Sequence, residues 1–123
     1  MSLSKYIESA QTDCFKKHGV FFAFSDAQFD KQKTEGVEYA SLGAGTICPK
    51  ANVKAFMIDH EGIVKAGIAK RIEAEGKTAI IRYELANYES WYTGDYSQAA
   101  EALEDYGFPI EDIIEQFNIY GGE

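Results

Sequence analysis

Apolar and polar positions change their spacing several times along this chain, and each change marks an element. Leu3, Tyr6, Ile7, Ala10 and Cys14 share one stripe at helical spacing, which predicts a helix from about Ser4 to His18. Lys16, Lys17 and His18 fall in its last turn, where they favour the negative end of the helix dipole, and Gly19 supplies a left-handed stop. Val20 to Phe24 reads as a short strand, apolar on both faces and so expected at the centre of a sheet. Ser25 with Gln28 forms a capping box that opens a brief helix through about Lys33. Val37 to Leu42 is a second strand. It leads into a turn at Gly43-Ala44-Gly45, after which Thr46 to Cys48 continue the sheet.

Pro49 suits the first turn of a helix carrying Val53, Phe56 and Met57 inward. Asp59-His60-Glu61-Gly62 is expected to break or kink it, and a further helical stretch from Ile63 to Gly76 carries Val64, Ile68 and Ile72. In Lys77 to Ala86, the residues Ala79, Ile81, Tyr83 and Leu85 alternate with Thr78, Ile80, Arg82 and Glu84, which predicts a strand in the same sheet as Val20 to Phe24. Asn87 to Gly94 reads as a loop. Asp95 with Gln98 caps a helix through Tyr106, and Gly107 ends it. Pro109 starts the last helix, with Ile110, Ile113, Ile114 and Phe117 on one stripe. The expected architecture is α+β: a single domain over residues 1–123, with about five helices around a small mixed or antiparallel sheet of three to four strands.

Charge changes this picture. All twelve Lys and Arg lie in residues 1–82, beside ten acids; residues 83–123 hold ten acids and no Lys or Arg. The net charge of −8 thus divides into +2 and −10. The acidic third also carries the only Trp, Trp91, and most of the Tyr. Such a surface repels phosphate backbones and attracts basic ones, so direct nucleic-acid binding is disfavoured. No segment has the length and apolarity of a membrane span, and the N-terminus has no apolar signal region, which fits a cytoplasmic protein.

Candidate chemistry is sparse. Gly43-x-Gly45 lacks the third glycine of a dinucleotide fingerprint and the Lys-Ser pair of a P-loop, so it reads as a turn. Cys14 and Cys48 are expected as reduced, packed thiols. His18 has an ordinary explanation as a helix-end cation, and His60, between Asp59 and Glu61, as part of a solvated turn. Neither a catalytic set, a metal-ligand set nor a cofactor is read, and an EF-hand spacing is missing. The segment Tyr88 to Asp95 is the best candidate site: Tyr88, Trp91 and Tyr92 beside Glu89 and Asp95 have the composition of a recognition surface. Trp91 or Tyr92 folded back as a lid on the core is the equal rival. Glu101, Glu104 and Asp105 extend the surface along the next helix.

The strings VFFAFSDAQFDKQK, YASLGAGTICPK and YELANYESWYTGDYSQAAEALEDYGFPIEDI resemble small uncharacterised proteins of bacteria, chiefly Gram-positive, and of their phages and mobile elements. The resemblance implies an accessory or host-interaction role and brings no established activity. The first functional reading is a non-enzymatic accessory protein that binds a basic protein partner through Tyr88, Glu89, Trp91, Tyr92, Asp95, Glu101, Glu104 and Asp105. The second is a small-molecule-binding protein or minor enzyme with a site near Gly43–Gly45 and the 88–95 segment. The third is a homo-oligomer subunit with Trp91 and Tyr92 at its interface.

Overall fold

The computed structural model describes residues 1–121. The chain divides into two compact units, one formed by Ile7–Ala66 and the other by Met1–Tyr6 with Gly67–Glu123. Two helices, α1 (Ser4–His18) and α3 (Val53–Glu75), contribute to both. The α+β class stands, with a three-stranded antiparallel sheet and, among the described residues, seven α-helices.

Within Ile7–Ala66, α1 has the boundaries its apolar stripe predicts, and Gly19 follows it at φ 71°. β1 is only Phe21–Phe22 and lies at the sheet edge, because β3 (Thr46–Pro49) sits between β1 and β2 (Tyr39–Ser41). The expectation of a central first strand is thus corrected. Its apolar run serves two ring clusters instead: Phe21 meets Phe29 and Tyr39, while Phe22 meets Phe15 and Phe24. Phe21 pairs with Ile47 and Ala40 with Cys48, so β3 carries the buried Cys48 into a core with Cys14, Val20 and Phe56. The turn between β2 and β3 holds Gly43, Ala44 and Gly45 at φ 92°, 51° and 76°, and a Cβ on Gly45 would lie 2.3 Å from the Phe24 ring. Glycine is needed there for both reasons. Ser25 caps α2 (Asp26–Gln32) by accepting from Gln28 N, and Gln28 Oε1 accepts from Phe24 N.

Pro49 ends β3 and precedes a 3-10 turn, Lys50–Asn52, rather than opening α3. The expected break at Asp59–Gly62 does not occur: α3 runs 23 residues without interruption. One interior glycine costs only about 1 kcal/mol relative to alanine. Burial of Phe56 and Ile68 along the same helix outweighs it.

In the other unit, Lys77–Asn87 is a helix, α4, and not the predicted strand, so it shares no sheet with Val20 to Phe24. The buried residues Ile80, Ile81, Glu84 and Leu85 recur at the spacing of one helical face. Alternation would have put Ile80 and Glu84 in water. α4 packs against α5 (Ser90–Thr93), α6 (Ser97–Ala102) and α7 (Ile110–Gly121), around Leu103, Tyr106 and Ile113. The helix expected through Tyr106 ends at Ala102, and Glu104–Tyr106 tighten into a 3-10 turn.

Arg71, 0% exposed, lies at the centre of this unit. Its Nη1 donates to Glu84 Oε2 and to Tyr106 Oη, both at 2.8 Å, and its Nε lies 3.7 Å from Glu75 Oε2. Glu75 Oε2 accepts from Tyr6 Oη at 2.7 Å. The guanidinium carbon is 5.1 Å and 5.7 Å from the ring centres of Tyr83 and Tyr106. Burial opposes its charge, but hydrogen bonds with Tyr106 and Glu84 outweigh that and hold its pKa above the ordinary arginine value. Removing one partner of a buried pair strands the other charge, so Arg71→Ala is expected to lower unfolding stability by about 3–5 kcal/mol. The adjacent exposed Lys70→Ala should change it by less than ~0.5 kcal/mol. Urea unfolding followed by circular dichroism measures both, and equal effects would contradict the burial.

Candidate functional site

The sequence-predicted partner-binding residues all belong to the second unit. The 88–95 segment is not simply a loop: Ser90–Thr93 form the one-turn helix α5. Left-handed residues bracket it, Glu89 at φ 53°, ψ 34° and Gly94 at φ 76°, ψ 16°. Glu89 is not a glycine, so this conformation costs of order 1–2 kcal/mol that packing must offset. The turn closes through Thr93 N to Glu89 O and Gly94 N to Ser90 O.

Trp91 and Tyr92 have different fates. Trp91 is partly buried, and its indole N–H donates to Phe117 O at 3.0 Å, which ties α5 to α7. Tyr92 is 90% exposed. Tyr88, Glu89, Asp95, Glu101, Glu104 and Asp105 are exposed as well. Asp95 Oδ1 accepts from Ser97 N at 2.9 Å, and this backbone bond lowers the Asp95 pKa below the ordinary carboxylate value. That bond replaces the expected Asp95–Gln98 cap. Lys77 and Arg82 of α4 reach α7, at Asp112 and Gln116. Glu89, Glu101, Glu104 and Asp105 have no salt bridge among the described residues. Gly43–Gly45 belong to the other unit, where they form the β2–β3 turn.

A group that the sequence reading did not assemble lies within Ile7–Ala66. Cys14 and His18, four apart on α1, meet Asp59 of α3, with one potential ligand atom from each within 4.8 Å of the others. Cys14 is 5% and His18 7% exposed, whereas the Asp59 side chain is 38% exposed. His18 Nε2 donates to Asp59 Oδ2 at 2.6 Å, and Lys17 Nζ donates to the same oxygen at 3.2 Å. Asn52 Nδ2 donates to His18 O at 2.9 Å. His18 is thus a buried, bonded ring rather than only a helix-end cation. The hydrogen bond from His18, then that from Lys17, lowers the Asp59 pKa. Burial, then the Asp59 charge, raises that of Cys14, and burial alone raises Cys48. Both thiols are free and buried. A thiol raised in this way stays protonated at neutral pH, which does not suit a nucleophile. A hollow of about 290 Å³ opens beside the group, lined by Ala10, Asp13, Cys14, Lys17, Asp59 and Ile63. His60 is within α3 rather than a solvated turn: Gln11 Nε2 donates to its Nε2 at 3.0 Å, and its ring faces Phe15 and Phe56.

The model of the family of unknown function DUF7659 matches residues 3–120. The chain belongs to that family. No curated protein and no solved structure matches the chain. For this member of DUF7659, no helix among the described residues is long and apolar enough to cross a membrane.

A signal for the Cys14–His18–Asp59 group is present in the sequence, because residues four apart on a helix share a face. Placing Asp59 at a helix break hid the third member. The geometry fixes the sign of a pH effect. The Asp59 pKa is lower folded than unfolded, so its stabilisation is complete above the unfolded value near ~3.9 and is lost as pH falls through the folded one. Asp59→Asn is therefore expected to lower the urea midpoint at pH 7 and to lose less further stability than wild type below about pH 4. Parallel pH profiles for the two proteins would contradict this.

Proposed function

We propose that this chain is a non-enzymatic accessory protein that binds a basic protein partner through the acidic, aromatic surface of its C-terminal third. The observation that carries the reading is Tyr92, 90% exposed on a one-turn helix whose left-handed flank is a glutamate. Strain of this kind persists only where surrounding structure over-determines it, and it clusters at working surfaces. A large flat ring supplies contact area at low entropy cost, and the exposed Glu89, Glu101, Glu104 and Asp105 supply long-range attraction to Lys and Arg. In this reading the carboxylates occupy phosphate-binding cations on the partner, a mode suited to a phage or mobile-element protein. Two buried free thiols suit a reducing, cytoplasmic setting.

A photo-crosslinking phenylalanine derivative at Tyr92, with the same group at exposed Lys54 as control, tests the reading in cells where the chain is native. The expected result is a basic protein captured from position 92 alone. Its purified complex should weaken steeply with salt, because exposed charges are screened beyond about 10 Å at 0.1 M ionic strength. Joint Glu101→Lys, Glu104→Lys and Asp105→Lys should slow association, and Tyr92→Ala should speed dissociation by about tenfold, or ~1.4 kcal/mol. Capture of a second copy of this chain alone, or binding indifferent to salt and to the reversals, would overturn the reading.

A further inference from the structure

The unit Ile7–Ala66 brings a thiol, an imidazole and a carboxylate to one point, and we propose that Cys14, His18 and Asp59 bind a divalent transition ion of the zinc class. This mixture of soft and borderline donors suits zinc or cobalt, whereas calcium and magnesium favour oxygen alone. In a tetrahedral site with metal–ligand bonds of about 2.0–2.3 Å, the ligand atoms stand roughly 3.3–3.8 Å apart. The three present atoms lie within 4.8 Å of one another, and an ion entering between them would part His18 Nε2 from Asp59 Oδ2, now hydrogen-bonded at 2.6 Å. Two ligands are held rigidly, since Cys14 and His18 are buried and one turn apart on α1. Asp59, more exposed, is the member free to move.

Packing accounts for Cys14, and hydrogen bonding accounts for His18 with Asp59. Neither requires that three different donor types converge beside a hollow. The hollow of about 290 Å³ borders Cys14 and Asp59, giving an ion a route in and a fourth position for water or for Asp13. Lys17 Nζ, 3.2 Å from Asp59 Oδ2, is a competing cation, and its side chain is 69% exposed and able to swing away. Binding therefore exchanges an ammonium for a divalent ion at the same carboxylate, and the Cys14 thiol gives up its proton to solvent as the sulfur–metal bond forms.

Titration of the reduced protein with cobalt(II), followed by zinc(II), tests the site. One equivalent of cobalt should produce a thiolate-to-cobalt charge-transfer band and the visible d–d bands of a tetrahedral centre, and zinc should displace both. Cys14→Ser should abolish the charge-transfer band. Because a core cysteine variant can fold poorly, two variants at more exposed side chains carry the decision. Asp59→Asn should weaken cobalt binding by at least about tenfold. Lys17→Ala should tighten it, an effect opposite in sign that no structural role for the lysine would produce. Lack of the charge-transfer band, binding of several equivalents, or affinity unchanged in both Asp59→Asn and Lys17→Ala would leave only adventitious ions on acidic surface and overturn the proposal.

Discussion

A guanidinium taken out of water must find carboxylates, and Arg71 imposes that requirement on the whole unit around it. The full cost of burying an isolated charge exceeds the net stability of a small domain, so the partners are obligatory. Glu84 supplies one on α4, and Glu75, one turn along α3, supplies the other. Tyr106 brings the end of the 3-10 turn to the same Nη1. The register of α4 follows, because Glu84 can face Arg71 only if Ile80, Ile81 and Leu85 face the core with it. Gly76, at φ 80° between α3 and α4, lets the chain turn from one helix into the next.

That dependence explains where the sequence was legible. α1 was readable because every determinant is local: a stripe, a basic last turn and a left-handed glycine. The Ser25 cap and the Gly43–Gly45 turn were readable for the same reason. α4 was not. Over ten residues rich in Ile, Ala, Tyr and Leu, a period of two and a period of 3.6 both fit, and the arbiter is Arg71, six residues before the segment begins. The acidic Glu84 looked like a solvent residue because its partner lies beyond the local window. The continuity of α3 through Gly62 was hidden for the same reason, since the glycine is local and the burial that overrides it is long-range.

The candidate sites divide along the same line. Exposure of Tyr92 and partial burial of Trp91 could not be separated in sequence, since both are aromatic neighbours; the Phe117 carbonyl that accepts a hydrogen bond from the Trp91 indole N–H decides between them. The Cys14–His18 pair was readable as a shared helix face, but Asp59 joins it only through the tertiary fold. Acidic surface chemistry and thiol–imidazole–carboxylate chemistry belong to different compact units of one DUF7659 chain, and neither proposal depends on the other.

A double-mutant cycle on Arg71 and Glu84 tests the central claim most directly. Arg71→Met strands the Glu84 carboxylate and Glu84→Leu removes the nearer of the two carboxylates that face Arg71, while the double variant replaces the pair by apolar groups. The account predicts that the double variant loses less than the sum of the two single losses, by a coupling of about 1–3 kcal/mol. Losses that simply add would contradict it, since they would mean that Arg71 and Glu84 do not depend on each other.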